Sequence, residues 1–578
     1  MPKNETPPRP SWRPTVIGKR YAVACGHYLA ATAAVRVLER GGNAVDAGVT
    51  AAMALAVLQP DIVSFSGVAP TLVYRKKDRS VHSLAGLGWW PQSTDIERLR
   101  SEGHGVVPDG LLRTVMPAAP ATHVEALLQF GTISFEEAAA AAHEIARDGF
   151  AAYPVFVRHL EKFQDKYRRW PSSADLYLPG GRTPRIGEIF RQQQLARSIA
   201  GMMQAERNAA GDRAAKLRAA RDYYYKGPIA EGIAAFHREH RGFVTRDDLA
   251  AFTVPVEKSI SCTYKSHQIH SCDTWCQGIS LLQALKTLET VDLAALGHNT
   301  PAYIHMTGEA LNLAFADREA YVGDPRFVDV PVPGMLSAEY AAAQRARIDI
   351  GKAFGTLPLP GRPPGATRDA FVPVLSSYPA AAPGAALDTI YCCVVDADGN
   401  AYSATLSDNA RDTPVIPSLG GTVSSRGAQG RLEPGHPAEV KPGKRPRLTP
   451  APALALDNGE FVMGFGTPGG DVQTQAMLQV YLNITEFGMS VQQAIEEPRF
   501  GTFIFPNSFS PHAIGKFNVE SRVPESTLAA LKNLGHPVQS WSALTPAAGA
   551  VCAIRRDAET GWLHAGADPR REAYAIAW

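Results

Sequence analysis

The spacing of apolar residues predicts a chain built from helices and short strands. Residues 29–56 carry two runs of helical period that are separated by Gly41-Gly42-Asn43, a pattern typical of one helix ending and another beginning. Short β-branched and apolar runs at Thr71–Tyr74 and Ile390–Val395 indicate strands. Further segments of helical period lie at 117–147, 189–220, 278–293 and 301–321. The mixture predicts a layered α/β architecture.

One long segment has no regular period. Residues 352–388 are rich in Pro, Gly and Ala, which predicts an extended, mobile course. The strand predicted at Ile390–Val395 follows directly, and the turn Asp398-Gly399-Asn400 then leads into a second alternating run, which predicts a hairpin. Structureless segments of such length are uncommon inside compact domains unless they have a function, so we expect a cleavage site here.

Composition and charge narrow the class of protein. The chain has 578 residues, of which 45% are hydrophobic and 20% are charged, and its formal net charge is +2. These values are typical of a globular protein, and they exclude disordered and collagen-like chains. The sequence has no dense basic stripe interleaved with aromatic residues, so we expect neither nucleic acid nor membrane as a partner. A small molecule is the expected partner.

Several features predict a cytoplasmic protein. The N-terminal residues are polar and Pro-rich, without the apolar core of an export signal. The longest apolar stretch, Ala47–Leu58, is too short to cross a bilayer. Seven cysteines, an odd number in a long chain, argue against a disulfide framework and for a reducing compartment.

A set of short motifs resembles the gamma-glutamyltransferases, a family of the N-terminal-nucleophile hydrolases. The resemblance runs from Tyr21 to Trp578, and the motifs occur in the family's order. They are GGNAVDA (41–47), ARDGF (146–150), YYKGPIAE (224–231), GFVTRDDLAAF (242–252), Glu309 through Asp317-Arg318 to Tyr321, Gly323-Asp324-Pro325, DTIYCCVVDADGN (388–400), KRPRLTPAP (444–452), GTPGGD (466–471), PRF (498–500) and ADPR (567–570).

The resemblance implies a fold and a processing event. The implied fold is a four-layer αββα sandwich, two stacked sheets flanked by helices. The implied event is self-cleavage between Asp388 and Thr389, giving a large subunit (1–388), a small catalytic subunit (389–578) and one intertwined domain made from both. The two subunits would be each other's partners, and a dimer of such heterodimers is possible.

Thr389 is the implied nucleophile. A secondary hydroxyl needs a base beside it, and the free α-amine of an N-terminal threonine titrates near 7.7–8.0, so one residue supplies both groups. Without the family motifs, Thr389 would be interpreted as a β-branched residue that opens a strand, as most threonines at such places are.

The resemblance implies further catalytic roles. Ser407 would hold the amine of the nucleophile and Asn409 would help to bind substrate, although each could instead be a turn residue. Gly469 and Gly470 would form an oxyanion hole from backbone N–H groups, or a tight turn from strand to helix, and both can hold together.

The sequence departs from the family where the free amino-acid end of the substrate is recognised. Leu87, Gly88 and two tryptophans stand in the place of the family's carboxylate-binding arginine. The stretch that should supply an acidic residue for the ammonium group offers Arg426 and Gln429 instead, and a serine pair appears as Leu448-Thr449. A pocket without these partners should reject a zwitterionic γ-glutamyl group.

We therefore expect a changed pocket around a conserved type of catalytic machinery. The pattern is similar to cephalosporin acylases and small-amide hydrolases such as oxamate amidohydrolase. Arg426 and Arg447 favour an acyl group that bears a carboxylate, although either could form a surface ion pair instead. Gln429 and Thr449 remain candidate substrate-binding residues, as does Trp89, which together with Trp90 could form an apolar wall or pack in the core.

A zinc site is a weaker alternative. His267, His270, Cys272 and Cys276 are ligand types that zinc uses, but their spacing is not that of a standard finger and the segment matches a family turn. We expect no metal and no organic cofactor.

The sequence thus predicts a self-processing amidohydrolase that acts through an acyl-threonine intermediate. A gamma-glutamyl hydrolase or transferase acting on glutathione-like substrates is the first alternative. An unprocessed, non-enzymatic relative is the second.

Overall fold

The computed structural model describes residues 11–382 and 388–578. Helices form a large part of the described chain, and the longest of them is α14, with 21 residues. The helices are α1 (Tyr28–Glu39), α2 (Ala44–Leu58), α3 (Ile96–Glu102), α4 (Ala119–Phe130), α5 (Phe135–Asp148), α6 (Pro154–Arg168), α7 (Pro171–Tyr177), α8 (Gln193–Asn208), α9 (Arg213–Tyr225), α10 (Pro228–Glu239), α11 (Arg246–Ala251), α12 (Gly278–Leu288), α13 (Leu293–Leu296), α14 (Pro301–Tyr321), α15 (Val332–Met335), α16 (Ala338–Arg345), α17 (Gln473–Thr485), α18 (Val491–Glu496) and α19 (Glu525–Asn533).

The strands form two large antiparallel sheets. Sheet A has seven strands in the spatial order β1 (Val16–Gly18), β18 (Leu563–Ala567), β17 (Cys552–Arg556), β13 (Glu460–Gly466), β12 (Ala453–Asp457), β9 (His267–Ser271) and β8 (Ile260–Tyr264). Sheet B has seven strands in the order β19 (Tyr574–Ala577), β2 (Ala22–Cys25), β10 (Ile390–Val395), β11 (Ala401–Leu406), β3 (Thr71–Arg75), β4 (Ser80–Leu84) and β7 (Val256–Lys258). Two smaller sheets contain β14 (Phe500–Thr502), β15 (Phe517–Glu520) and β16 (Val538–Trp541), and β5 (Phe150–Ala151) and β6 (Ile189–Phe190).

Three large clusters of buried side chains form the core around the two sheets. One cluster joins strands of both sheets, with Ala24, Tyr391 and Val395 from sheet B and Leu454, Phe461 and Ile554 from sheet A. A second joins alternate residues of sheet B to helices that include α1, α2, α4, α5 and α8. A third joins alternate residues of sheet A to helices that include α12, α14 and α17. Each central strand is therefore buried on both sides, which explains why β10 has no exposed position.

The local predictions from the sequence are confirmed. The break at Gly41-Gly42-Asn43 separates α1 from α2, and Asn43 caps α2 through a reciprocal pair of hydrogen bonds with Asp46. The run Ile390–Val395 is strand β10, and it pairs with β11 across the predicted turn. Helices also occupy the other segments of helical period.

The segment before the expected cleavage site is extended over the part that the structure describes. Residues 352–382 contain a single 3-10 turn, Leu375–Ser377, and the remainder is irregular. Backbone hydrogen bonds attach this stretch to the small-subunit part of the chain, from Ala353 N to Leu534 O and from Ala381 N to Ile514 O. Residues 383–387 of the predicted segment lie outside the described residues, and its mobility stays a prediction.

Both sheets draw strands from either side of the bond between Asp388 and Thr389. In sheet B, β10 pairs with β2, and β11 pairs with β3. In sheet A, β12 pairs with β9, and β18 pairs with β1. Cutting this bond would therefore leave two fragments that share both sheets.

All seven cysteines are buried free thiols, in agreement with the prediction of no disulfide framework. Within residues 11–382 and 388–578, every helix is too short or too polar to cross a membrane.

Candidate active site

The register of the central hairpin brings Thr389 and Ser407 together. Ile390 lies opposite Leu406 at the open end of β10 and β11, so the residues just beyond them, Thr389 and Ser407, are neighbours. The two side-chain oxygens, Thr389 Oγ1 and Ser407 Oγ, are 2.6 Å apart. Both residues are fully buried, so the hydroxyl groups have no contact with solvent in the uncut chain.

Thr389 has a strained backbone. Its φ angle is +70°, in the left-handed region that a β-branched residue rarely adopts. Such a conformation costs on the order of 1–3 kcal/mol and persists because the surroundings hold it. The backbone N–H of Thr389, which belongs to the expected scissile bond, donates a hydrogen bond of 3.3 Å to Ile62 O.

Arg426 holds the carboxylate of Asp388, the residue before Thr389. Its Nη1 donates to Asp388 Oδ2 at 2.8 Å and its Nη2 donates to Asp388 Oδ1 at 2.6 Å, which is a two-point fork. Nη2 also lies 2.6 Å from Ser407 Oγ, and Ser407 Oγ donates to Asp388 Oδ1 at 3.2 Å. The predicted substrate-binding arginine is thus at the site, but in the uncut chain its partner is a carboxylate of the chain itself.

The ion pair sets the charge of Asp388. Burial by itself would raise the pKa of this carboxyl, but the Arg426 guanidinium outweighs burial and the pKa lies below its ordinary value of 3.8. Asp388 is therefore ionised at neutral pH although it is buried.

Asp408 orders the turn that carries Arg426. Its carboxylate accepts hydrogen bonds from Ser424 Oγ at 2.6 Å, from Ser425 N at 2.8 Å and from Ser425 Oγ at 2.6 Å. Its Oδ1 also lies 3.6 Å from Arg426 Nε. Sequence reasoning missed Asp408, although it stands between the two candidate catalytic residues Ser407 and Asn409.

Arg571 is a second residue that sequence reasoning missed. Its Nη1 donates to the carbonyl oxygens of Asp388 and Thr389, at 3.3 and 3.2 Å. Burial lowers the pKa of Arg571 to about 10, so the side chain is still charged at neutral pH. The available signal was its place directly after the motif at 567–570.

Gly469 and Gly470 form the turn between β13 and α17. Their φ angles are +123° and +60°, conformations that favour glycine. A Cβ on Gly470 would lie 3.3 Å from the ring of Phe509, and the same ring lies 5.3 Å from the Arg426 guanidinium. The turn and the arginine therefore contact a common aromatic side chain.

Gln429 and Thr449 contact each other and connect to that turn. Gln429 Nε2 donates to Thr449 Oγ1 at 2.8 Å. Gln277 Nε2 then donates to both Thr449 O and Gly470 O at 3.0 Å. The structure thus brings both predicted recognition residues together with the predicted oxyanion turn.

Asn409, two residues after Ser407, is buried and keeps an unused acceptor. Its Oδ1 has no hydrogen-bond partner among the described residues. An amide oxygen that is buried without a hydrogen-bond partner lowers the stability of the folded protein, and a hydrogen-bond donor on a bound substrate would remove this cost. This fits the predicted role in substrate binding, which stays a prediction.

Trp89 and Trp90 have different neighbours. Trp89 packs on Phe252, with ring centroids 4.7 Å apart, and under the guanidinium of Arg326. Trp90 is fully buried, and its ring lies against Gly427 in the turn that carries Arg426. Trp90 therefore contacts the turn that carries Arg426 and Trp89 packs elsewhere, and a role of Trp89 in substrate binding stays a prediction.

Arg447 belongs to a separate buried ion cluster. Its Nη2 donates to Glu319 Oε1 at 2.6 Å, and Glu319 also contacts Arg318, Arg431 and His436. Burial opposes ionisation of Glu319, but the three arginines hold the pKa of its carboxyl well below the ordinary value. Arg447 is therefore in an ion pair, as one alternative allowed, but this ion pair is buried.

The segment considered for zinc makes other contacts. His267 Nδ1 lies 2.7 Å from the hydroxyl of Tyr481, and His270 Nδ1 lies 2.9 Å from Ser259 Oγ. The two cysteines of that segment lie in the cluster between the sheets.

Another group offers metal-ligand atoms within 4.8 Å of one another: His305, Glu309 and His536. These side chains are already engaged, since His305 Nδ1 lies 2.8 Å from His536 Nε2 and His305 Nε2 lies 2.8 Å from Asp349 O.

Comparison with known proteins identifies relatives over nearly the whole chain. The model of the gamma-glutamyltranspeptidase family matches residues 30–578. The glutathione hydrolase-like YwrD proenzyme of Bacillus subtilis is 28% identical over 572 residues, which cover 97% of this chain and 99% of that protein. The acylase ACY 1 proenzyme of Pseudomonas sp. (strain SE83) is 28% identical over 537 residues, covering 90% and 88%.

A solved structure has the same fold. The cephalosporin acylase from Bacillus halodurans superposes with a TM-score of 0.85 at 28% identity, covering 100% of this chain and 99% of that one. The resemblance inferred from the sequence motifs is confirmed.

The ion pair between Arg426 and Asp388 should be visible in the stability of the uncut chain. In a Thr389→Ala background, Arg426→Met leaves a buried carboxylate unpaired and should lower the free energy of unfolding by about 3–5 kcal/mol. Adding Asp388→Leu removes that carboxylate and should recover most of the loss. Denaturant unfolding of the three variants measures both effects; equal stability of the background and Arg426→Met would contradict the pairing.

Proposed function

The chain belongs to the gamma-glutamyltranspeptidase family, and from that premise we propose that the Thr389 hydroxyl performs both of the protein's reactions. The protein is a self-processing hydrolase of amide C–N bonds, as its acylase and hydrolase relatives are. In the proposal, Thr389 first cuts the peptide bond before itself and then hydrolyses small amides. The observation that carries it is the hydrogen-bonded group of Thr389, Ser407 and Asp388 at that bond.

The proposed framework for this site is the four-layer αββα sandwich of N-terminal-nucleophile hydrolases. The cluster between the two sheets supports the inner layers, and the helix clusters on their other faces support the outer layers.

In the proposed self-cleavage, Thr389 Oγ attacks the carbonyl carbon of Asp388. Its proton passes to Ser407 Oγ while Ser407 gives its own proton to the Asp388 carboxylate, over 2.6 and 3.2 Å. Arg571 stabilises the negative charge that develops on Asp388 O. The C–N bond breaks, the leaving amine of Thr389 takes the proton back from Asp388, and an ester joins the two residues.

Hydrolysis of that ester completes the processing. Water adds to the ester carbonyl, which releases the Asp388 α-carboxylate and restores the Thr389 hydroxyl. The strained backbone at Thr389 is already relieved when the C–N bond breaks, before this hydrolysis, because its φ angle is then no longer fixed by a preceding peptide bond. The two fragments share both sheets, so we propose that they remain together as a heterodimer, with association into a dimer of heterodimers as a further proposal.

In the proposed mature enzyme, the freed amine of Thr389 replaces Asp388 as the base. It takes the proton of the Thr389 hydroxyl as Oγ attacks the substrate carbonyl, and it returns that proton to the leaving amine. The N–H groups of Gly469 and Gly470 stabilise the oxyanion, and Ser407 and Asn409 position the reacting groups. Water then hydrolyses the acyl ester. Each step balances with water as the second reactant, so the mechanism requires no cofactor.

The proposed substrate is a small amide whose acyl group carries a carboxylate. Once Asp388 has left, Arg426 is a buried guanidinium that faces the nucleophile through Ser407. A guanidinium fork binds a carboxylate at two points. Gln429 and Thr449 lie at the oxyanion turn and would contact the remainder of the substrate.

Removal of the nucleophile should abolish processing. Wild-type protein should separate on denaturation into two fragments, the smaller of which begins at Thr389 and ends at Trp578. Thr389→Ala lacks the hydroxyl and should remain one chain, whereas Thr389→Ser keeps a hydroxyl and should still be cut. Intact mass and N-terminal sequencing read the result. A Thr389→Ala chain cut at the same bond would contradict the proposal.

The two reactions should respond differently to pH. Turnover by the mature enzyme requires a neutral amine, so its rate should fall as the pH drops below about 8. Self-cleavage requires the Asp388 carboxylate, whose pKa lies below 3.8, so its rate should stay constant from neutral pH to about pH 5 and fall only in stronger acid.

Asp388→Asn removes this base and should slow self-cleavage by about 100-fold or more. The measurements are the rate of fragment formation and the rate of amide hydrolysis, each followed across pH. A common titration near pH 8 in both rates would contradict the change of base.

A further inference from the structure

The side chain of Asp388 resembles an acyl group that is already bound. Between its backbone carbonyl carbon, which Thr389 would attack, and its carboxylate lie two carbon atoms, and Arg426 holds that carboxylate at both oxygens. We propose that Asp388 occupies the acyl site of the mature enzyme, which therefore prefers succinyl amides: amides whose acyl group carries a carboxylate two carbons from the reacting carbonyl. This inference rests on the proposed function, in which Thr389 is the nucleophile.

The covalent chemistry supports this assignment. The ester formed during self-cleavage joins the Asp388 carbonyl to Thr389 Oγ, so it is an acyl-enzyme whose acyl group is a substituted succinyl group. Water must hydrolyse that ester for processing to finish. The site that completes its own maturation is therefore already suited to deacylate a succinyl ester.

The position of Arg426 relative to the nucleophile supports it as well. One hydroxyl, Ser407 Oγ, lies 2.6 Å from Thr389 Oγ1 and 2.6 Å from Arg426 Nη2. Because Ser407 Oγ contacts both groups, the attacking oxygen and the guanidinium lie close to each other. A substrate that reacts with this oxygen and also reaches this fork must have an acyl chain of the same length as Asp388.

The charge left after processing requires an anion. Arg426 is buried, and a second carboxylate near it, Asp408 at 3.6 Å from Nε, already accepts three hydrogen bonds from Ser424 and Ser425. The two nitrogens that held Asp388 lose their partner. Removing the carboxylate that a buried guanidinium holds at two points is costly, and a substrate carboxylate at the same two nitrogens would replace it.

Neighbouring groups restrict the length of the acyl chain. Phe509 lies against Arg426, with 5.3 Å between its ring centroid and the guanidinium carbon. An acyl chain longer or shorter by one methylene would place its carboxylate away from the position at which Arg426 holds that of Asp388. One methylene in a fitted pocket changes selectivity by about 10–200-fold.

The test compares acyl groups on the mature wild-type enzyme. The substrates are the p-nitroanilides of malonic, succinic, glutaric and butyric acid. The first three differ in the length of the acyl chain, and the butyryl compound has the length of the succinyl compound but lacks its carboxylate. Succinyl p-nitroanilide should have the highest kcat/KM, at least about 10-fold above its malonyl and glutaryl analogues. The uncharged butyryl compound should be hydrolysed still more slowly.

Two further measurements assign the preference to Arg426. Free succinate should inhibit the wild-type enzyme competitively, with a lower inhibition constant than malonate or glutarate, and this requires no variant. In the processed fraction of Arg426→Gln, which lacks the charge, the ratio of succinyl to butyryl turnover should fall at least about 10-fold.

The outcomes separate this inference from its premise. If the small subunit begins at Thr389 and amides are hydrolysed, but glutaryl or butyryl compounds are preferred, the succinyl assignment is overturned and the proposed function stands. If the chain is never cut before Thr389, the proposed function itself fails.

Discussion

The buried ion pair between Arg426 and Asp388 is the interaction on which the rest of the site depends. It places an ionised carboxylate beside the bond at which we propose cleavage, and through Ser407 it connects that carboxylate to the Thr389 hydroxyl, the proposed nucleophile. Neither charge would be stable there alone, because both side chains are buried and an unpaired charge in such a place is costly. The same pairing keeps the arginine occupied for as long as the chain is intact. The precursor and the proposed mature enzyme thus differ in whether Asp388 occupies Arg426.

The fold makes such a change of state possible. Strands from both sides of the scissile bond alternate in the two sheets, so breaking one peptide bond removes a local constraint without separating the layers. The constraint is the left-handed backbone of Thr389, which the surrounding structure holds in place. In the proposed cleavage, release of that strain at a fully buried residue would convert a closed site into one with a free amine and an arginine that has lost the Asp388 carboxylate.

Sequence predicted the elements that local rules determine, whereas the pairing of Thr389 with Ser407 was implied only by the family resemblance. The turn at Asp398-Gly399-Asn400 fixes the hairpin, and the hairpin register alone brings Thr389 next to Ser407. The contacts of Arg571 could not be predicted. Arg571 is 182 positions from Thr389 in the sequence, and it lies in a loop that has no regular pattern of apolar residues. The partner of Arg426 could not be predicted either, because a sequence gives the charge of an arginine but not the carboxylate with which it forms an ion pair. The different surroundings of Trp89 and Trp90 could not be predicted either, because the irregular stretch around them offers no alternation from which to tell which ring faces the site.

The central claim is that one hydroxyl, on Thr389, performs both the cleavage and the hydrolysis, and the mass of an acyl-enzyme tests it most directly. Mature enzyme is mixed with excess succinyl p-nitroanilide, quenched in acid during turnover and digested, so that any ester is located by mass. We expect a succinyl group on the peptide that begins at Thr389. We also expect this group to be lost when the quench is delayed until after the substrate is exhausted. Continued turnover with the acyl group on another residue, or with that peptide unmodified under conditions that preserve esters, would contradict it.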